Sequence, residues 1–220
     1  MPNLNAYDTI IFDMDGVLID SEPLWKIAME DVFASVGSQL TKSDFQKTVG
    51  LRIDEVVRFW HKNEGWKNFT PEQLEKKIIS RMVDLIQQNA NPLEGVVDTL
   101  KFLNSRKIKV GLATSSYRIL IDTVLGSLNI KHYFDYTHSA ENEEFGKPHP
   151  AVYLTVANKL NSNPLNCLVV EDSLNGIISA KAARMDVICI PEKTHHHQPK
   201  LNLADYHFDS MTQLLKHWNK

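Results

Sequence analysis

The chain has no basic stripe, no long apolar run and few cysteines. Its 24 Lys and Arg stand against 27 Asp and Glu, for a net charge of -3 and a pI near 6.3. Without a block of basic residues, nucleic acid is excluded as an expected partner. No apolar run approaches the ~18 residues that cross a bilayer, so no membrane partner is expected. Met1 to Ala6 lack the basic-then-apolar order of a signal peptide, and a cytoplasmic location is expected. The two cysteines, Cys167 and Cys189, lie beside apolar strand-like segments. Buried free thiols are the expected reading, ahead of a disulfide. There are no internal repeats and no low-complexity tracts. What remains is a 220-residue chain, 43% hydrophobic and 23% charged. That is a soluble globular protein, either one domain or a core with a sizeable insertion. A small-molecule enzyme acting as a monomer is the expectation.

The most informative stretch is Phe12-Asp13-Met14-Asp15-Gly16-Val17-Leu18, which follows the apolar run Thr9-Ile10-Ile11. Two carboxylates two residues apart at a strand end point the same way while the chain stays extended. Two like charges about 4 Å apart repel by roughly 4 kcal/mol at an effective dielectric near 20. Such a pair expects a cation, a shared proton, or both. A plain Asp-Gly turn is the bland alternative. A calcium loop fits poorly, because Gly16 follows the second Asp directly and no Glu closes the loop.

Between Pro23 and Ala90 the pattern is helical. Leu24, Ala28, Val32 and Val36 form one stripe, and Thr70-Pro71-Glu72-Gln73 reads as a capping box opening a helix with Leu74, Ile78, Met82, Leu85 and Ile86 on its apolar face. From about Leu93 helices alternate with strands, the strands falling at 109–114, 166–171 and 186–190. Apolar strands between amphipathic helices imply a parallel sheet covered on both faces. The expected fold is α/β, a Rossmann-like parallel-sheet core (residues 1–21 and 93–220) with an inserted α-helical cap domain (22–92).

In open parallel sheets, ligands bind beyond the carboxyl ends of the strands. Four polar groups are expected there: Asp13 and Asp15, Thr114-Ser115-Ser116, Lys147 in Gly146-Lys147-Pro148, and Glu171-Asp172-Ser173. Singly, each also reads as an ordinary helix cap or surface residue. Together, in this order, they resemble the four motifs of the haloacid dehalogenase superfamily of phosphohydrolases. Within it the chain is most similar to bacterial phosphatases of 2-deoxyglucose 6-phosphate and hexitol phosphates. The resemblance spans essentially the whole chain, including Leu18 to Trp25, Gly50 to Asp54, Asn175-Gly176 and Lys181 to Met185.

The resemblance implies Mg²⁺ as cofactor and a small phosphate ester as substrate. Asp13 would be the nucleophile and Asp15 the general acid, then base. Thr114 and the Ser115 backbone would hold the phosphoryl oxygens, and Lys147 would neutralise charge. The metal would take Asp13, Asp172 and the backbone carbonyl of Asp15. Glu171 would be a further acidic ligand or its hydrogen-bonding neighbour. The cap should close over the site and contact the leaving group, with Trp25 and Arg52 as candidates. Cap packing and a solvated or salt-bridged arginine are their bland readings. Trp60 and Trp66 read as cap packing. The related β-phosphoglucomutases carry a histidine where this chain has Trp25, which counts against a hexose phosphomutase, the second enzymatic reading. A non-catalytic phosphosugar-binding module is the reading of another class. A metal tract at His195-His196-His197 is a further, weaker reading.

Overall fold

The computed structural model describes residues 1–41, 43–48, 51–191 and 199–219. Gly50 and the His195-His196-His197 tract lie outside these residues. The chain divides into two compact units, Ser21–Ala90 and Met1–Asp20 with Asn91–Lys220. Among the described residues no helix is long and apolar enough to cross a membrane.

The smaller unit is helical: α1 (Glu22–Ala34), α2 (Ile53–Glu64) and α3 (Pro71–Asn89). Leu24, Ala28, Met29, Val32 and Phe33 form the buried face of α1. The expected stripe ran on to Val36, but the helix ends at Ala34. There the amides of Gly37 and Ser38 turn back onto the carbonyls of Ala34 and Phe33, at 3.0 and 3.1 Å. In α3, Thr70 Oγ1 accepts from the Gln73 amide at 3.3 Å, and Gln73 Oε1 accepts from the Thr70 amide at 2.9 Å. That is the reciprocal cap read from the sequence, and Leu74, Ile78, Met82, Leu85 and Ile86 behind it are all buried. Trp66 stacks on Phe33 with ring centroids 5.0 Å apart, and Trp60 is buried, so both tryptophans pack the unit.

Among the described residues the larger unit holds a six-stranded sheet: β1 (Thr9–Phe12), β2 (Lys109–Thr114), β3 (Tyr136–Ser139), β4 (Cys167–Glu171), β5 (Asp186–Cys189) and β6 (Tyr206–His207). Its order is β3-β2-β1-β4-β5-β6, and every neighbouring pair is parallel. Helices α4 (Val96–Ser105), α5 (Arg118–Ser127), α6 (Ala151–Lys159), α7 (Leu174–Ala182) and α8 (Met211–Trp218) accompany it. Every residue of β1 and β4 is buried, as strands covered on both faces require. Ile11, Ala113, Tyr153, Val156, Val169 and Ile177 share one apolar core drawn from β1, β2, α6, β4 and α7.

Two strands escaped the sequence reading. β3 is an edge strand whose Tyr136, Thr137 and His138 are only half-buried, and β6 has two residues. Neither makes an apolar run. Cys189 pairs with Glu171, at the far end of β4 from Cys167, and both thiols are free and buried.

The topology decides where chemistry can sit. The chain winds outward from β1 through β2 to β3, then returns to lay β4 on the other flank of β1. The strand order reverses there, and in open α/β sheets that crevice, at the carboxyl ends, is where ligands bind.

Candidate active site

β1 ends at Phe12, and the Asp13 amide still donates to Val170 O of β4 at 3.0 Å. The chain then turns. Met14 O accepts from the Leu18 amide at 2.8 Å, and the Gly16 amide donates to Ile19 O at 2.9 Å. The strand therefore does not stay extended through Asp15, as the period-two reading supposed. The two carboxylates part company: Asp13 takes a lysine, and Asp15 takes a serine.

Lys147 lies in the loop between β3 and α6, not at a strand end as expected, and its side chain is buried. Its ammonium donates to Asp13 Oδ1 at 2.7 Å, Glu171 Oε1 at 2.7 Å and Ala113 O at 3.0 Å. All three donors of the ammonium are thereby used. The Tyr153 ring lies 4.8 Å from the Nζ and adds a cation–π contact.

Glu171, fully buried at the end of β4, is saturated. Its Oε1 accepts from Lys147 and from the Tyr153 hydroxyl at 2.6 Å. Its Oε2 accepts from the Asp172 amide at 3.1 Å, the Ser173 amide at 3.1 Å and the Ser173 hydroxyl at 3.0 Å. A Cβ on Gly176 would fall 1.7 Å from Glu171 Oε1, so only glycine leaves room for this carboxylate. Gly16 is constrained twice: its φ is +73°, and a Cβ there would stand 2.1 Å from Asp172 Oδ2. The two glycines clear the space into which β4's acidic pair reaches. Asp13, Glu171 and Asp172 each offer an oxygen within 4.8 Å of the others, which makes them a candidate metal centre.

Asp15 Oδ2 accepts from Ser116 Oγ at 2.7 Å. Thr114 is buried at the end of β2, and its Oγ1 accepts from the Ser116 amide at 3.1 Å. Ser115 is half-buried beside it. Asp13, Asp15, Thr114, Glu171 and Asp172 thus follow or end β1, β2 and β4 at their carboxyl side, and Lys147 joins them from the loop before α6. Trp25 and Arg52 belong to the helical unit. Trp25 is half-buried on α1, and Arg52 Nε lies 3.2 Å from Asp54 Oδ1. Ser116 and Tyr153 were not singled out for these contacts. Ser116 reads as a cap in sequence, and Tyr153 as an apolar helix position.

The electrostatics are lopsided. Asp13, Glu171 and Asp172 cluster, and the Lys147 ammonium bridges the first two. Burial pushes the Asp13 carboxyl up to about 7, with Glu171 and Asp15 adding to the rise and Lys147 opposing it. Burial also works against the charge of Glu171, but Lys147 and its hydrogen bonds outweigh it and hold the carboxyl below the usual range. Burial opposes the Lys147 charge as well, yet Asp13 and Glu171 keep the ammonium protonated above its ordinary value. Acidic groups crowd together here, and the ligand atoms that Asp13, Glu171 and Asp172 offer are all carboxylate oxygens. That combination suits a hard divalent cation.

The model of the haloacid dehalogenase-like hydrolase family matches residues 10–190. The chain belongs to this family. Hexitol phosphatase B of Escherichia coli (strain K12) is 40% identical over 205 residues, which are 93% of this chain and 92% of that protein. Phosphorylated carbohydrates phosphatase of Thermotoga maritima is 32% identical over 82% of this chain and 83% of its own length. Among solved structures, CbbY from Rhodobacter sphaeroides in complex with phosphate superposes with a TM-score of 0.87 at 21% identity, covering 94% of this chain and 96% of that one, and so shares the fold. The haloacid dehalogenase-like chain is accordingly an enzyme with a carboxylate-rich catalytic centre.

The close approach at Gly176 makes one expectation sharp. Gly176→Ala should drive Glu171 off its donors and destabilise the fold by about 1–3 kcal/mol, as overpacking does. Gly126→Ala, in α5 with nothing within 4 Å of its added Cβ, should be neutral or mildly stabilising. Urea midpoints of the two variants would separate them; equal midpoints would show that Glu171 is not held as described.

Proposed function

We propose that this enzyme is a Mg²⁺-dependent phosphatase of small sugar phosphates, with hexose, deoxyhexose or hexitol phosphates as substrates. The observation that carries the reading is the convergence of Asp13 with Lys147, Glu171 and Asp172 at the switch point of the sheet. The 40% identity to a hexitol phosphatase over nearly the whole chain supports the substrate class.

Asp13 is the proposed nucleophile. Its carboxylate oxygen attacks phosphorus, the ester P–O bond breaks, and Asp15 gives its proton to the departing alkoxide. Water then attacks the aspartyl-phosphate, Asp15 takes the water's proton, the Asp13–phosphorus bond breaks and phosphate leaves. Thr114 and the Ser115 backbone hold the phosphoryl oxygens, and Lys147 offsets the growing negative charge. Mg²⁺, when bound, would be held by Asp13, Asp172 and the Asp15 carbonyl, and supplies the positive charge that two approaching anions need. Glu171, whose oxygens already accept from Lys147, Tyr153, Asp172 and Ser173, holds Lys147 and is the further acidic member of the candidate metal centre. Trp25 and Arg52 are the proposed contacts to the leaving group.

A phosphate-release screen over hexose, deoxyhexose, hexitol, triose and nucleoside phosphates tests the reading. Sugar phosphates should be hydrolysed with Mg²⁺ and not after its removal, and Asp13→Asn should abolish release in a folded protein. Substantial activity in that variant would sink the assigned nucleophile, and an isomerised sugar phosphate among the products would favour a mutase.

The raised Asp13 carboxyl gives a second expectation. Its pKa of about 7 exceeds the unfolded value, so its contribution to metal-free stability is present in acid and lost as pH rises through about 7. Below that pH a cation must displace a proton, at a cost of about tenfold in affinity per pH unit. Mg²⁺ should therefore raise the melting temperature more at about pH 8 than at about pH 5.5. Equal shifts would contradict a protonated Asp13.

A further inference from the structure

We propose that Ser116, itself held by Ser139, is a positioning residue for the Asp15 proton shuttle. The inference rests on the phosphatase reading above and deepens it. Ser116 precedes α5 but does not cap it: the capping position is Tyr117, with no side-chain hydrogen bond to the helix. The Ser116 hydroxyl goes instead to Asp15 Oδ2, at 2.7 Å.

Ser116 is fixed at both ends. Its amide donates to Thr114 Oγ1 at 3.1 Å, and its carbonyl accepts from Ser139 Oγ at 2.7 Å. Ser139 is 1% exposed, at the carboxyl end of β3, in register with Thr114 of β2. Its hydroxyl also accepts from the Glu141 amide at 3.0 Å, and Glu141 Oε2 accepts from the Arg118 amide at 2.9 Å. The short turn after β3 therefore clamps the loop from Thr114 to Arg118. One rigid loop carries both a proposed phosphate holder and the partner of the proton shuttle.

The chemistry gives that hydrogen bond a purpose. An ionised carboxylate only accepts, so the hydroxyl of Ser116 donates. When Asp15 is protonated, the donor at Oδ2 keeps that oxygen in the role of acceptor, and the acidic proton resides on Oδ1. The proton passed to the ester oxygen thus comes from one oxygen in one orientation. Loss of the Ser116 donor removes this constraint on the terminal torsion of Asp15, and the fraction of encounters with proton and leaving oxygen aligned falls.

The test compares two esters through kcat/KM, which reports only steps up to release of the alcohol. The sugar phosphate turned over best needs a proton on its alkoxide; p-nitrophenyl phosphate releases a stable phenolate and does not. Ser116→Ala should lower kcat/KM for the sugar phosphate by about 10–100-fold, as loss of a hydrogen bond to a charged group does, and for the aryl ester by less than about threefold. Ser116→Thr, which keeps a hydroxyl, should restore the wild-type ratio of the two. Ser139→Ala should shift the ratio in the same direction by a smaller factor. Parallel losses on both esters, or no loss on the sugar phosphate, would overturn the role of Ser116 while leaving the phosphatase reading in place. A wild-type protein that hydrolyses neither ester would remove that reading and the inference together.

Discussion

The Lys147 ammonium bridges two buried carboxylates, Asp13 and Glu171, beside a third, Asp172, and much of the larger unit serves that arrangement. Like charges a few ångströms apart cost several kcal/mol unless something positive intervenes. Lys147 supplies part of it, bridging Asp13 and Glu171 at 2.7 Å each. Glu171 is neutralised on the spot by Lys147, Tyr153 and three donors from its own chain turn. Asp13 is not: its carboxyl rises to about 7. A divalent cation at this carboxylate cluster would supply further positive charge, to Asp13 and to a transferring phosphoryl group alike.

The fold places these groups by ordinary means. β1 and β4 are buried end to end, so their polar continuation can begin only where they emerge at the carboxyl edge. The winding of the chain puts those two strands side by side although more than a hundred residues separate them in sequence. Gly16 and Gly176 then remove the side-chain bulk that would otherwise meet Asp172 and Glu171. The β2–β3 pairing adds Ser139 to the back of the Thr114 loop. Strand ends thus position Asp13, Thr114 and Glu171, while Lys147 enters from the loop before α6.

Much of this was legible in the residues. Asp13 and Asp15 announced themselves by charge and spacing, and the Thr70–Gln73 cap by its reciprocal hydrogen-bonding chemistry. The buried strands announced themselves by unbroken apolar runs. Other features left weaker traces. β3 is half-exposed and polar, so its pattern resembles a loop. Lys147 reaches the site from a loop, a placement no periodicity encodes. Ser116 and Ser139 look like any cap or turn serine until the sheet pairs their strands. The end of α1 before Val36 depended on amides turning back at Gly37 and Ser38, which overrode the apolar stripe. Long-range partners hid Lys147, Ser116 and Ser139, whereas the end of α1 turned on local backbone bonds.

The central claim is that Asp13 carries the phosphoryl group. It is tested most directly by acid quench during turnover of a ³²P-labelled sugar phosphate, followed by peptide mapping. The mechanism predicts an acid-stable, hydroxylamine-labile label on the peptide containing Asp13, lost on chase with unlabelled substrate. Steady turnover with no trapped label, or label on another residue, would contradict it.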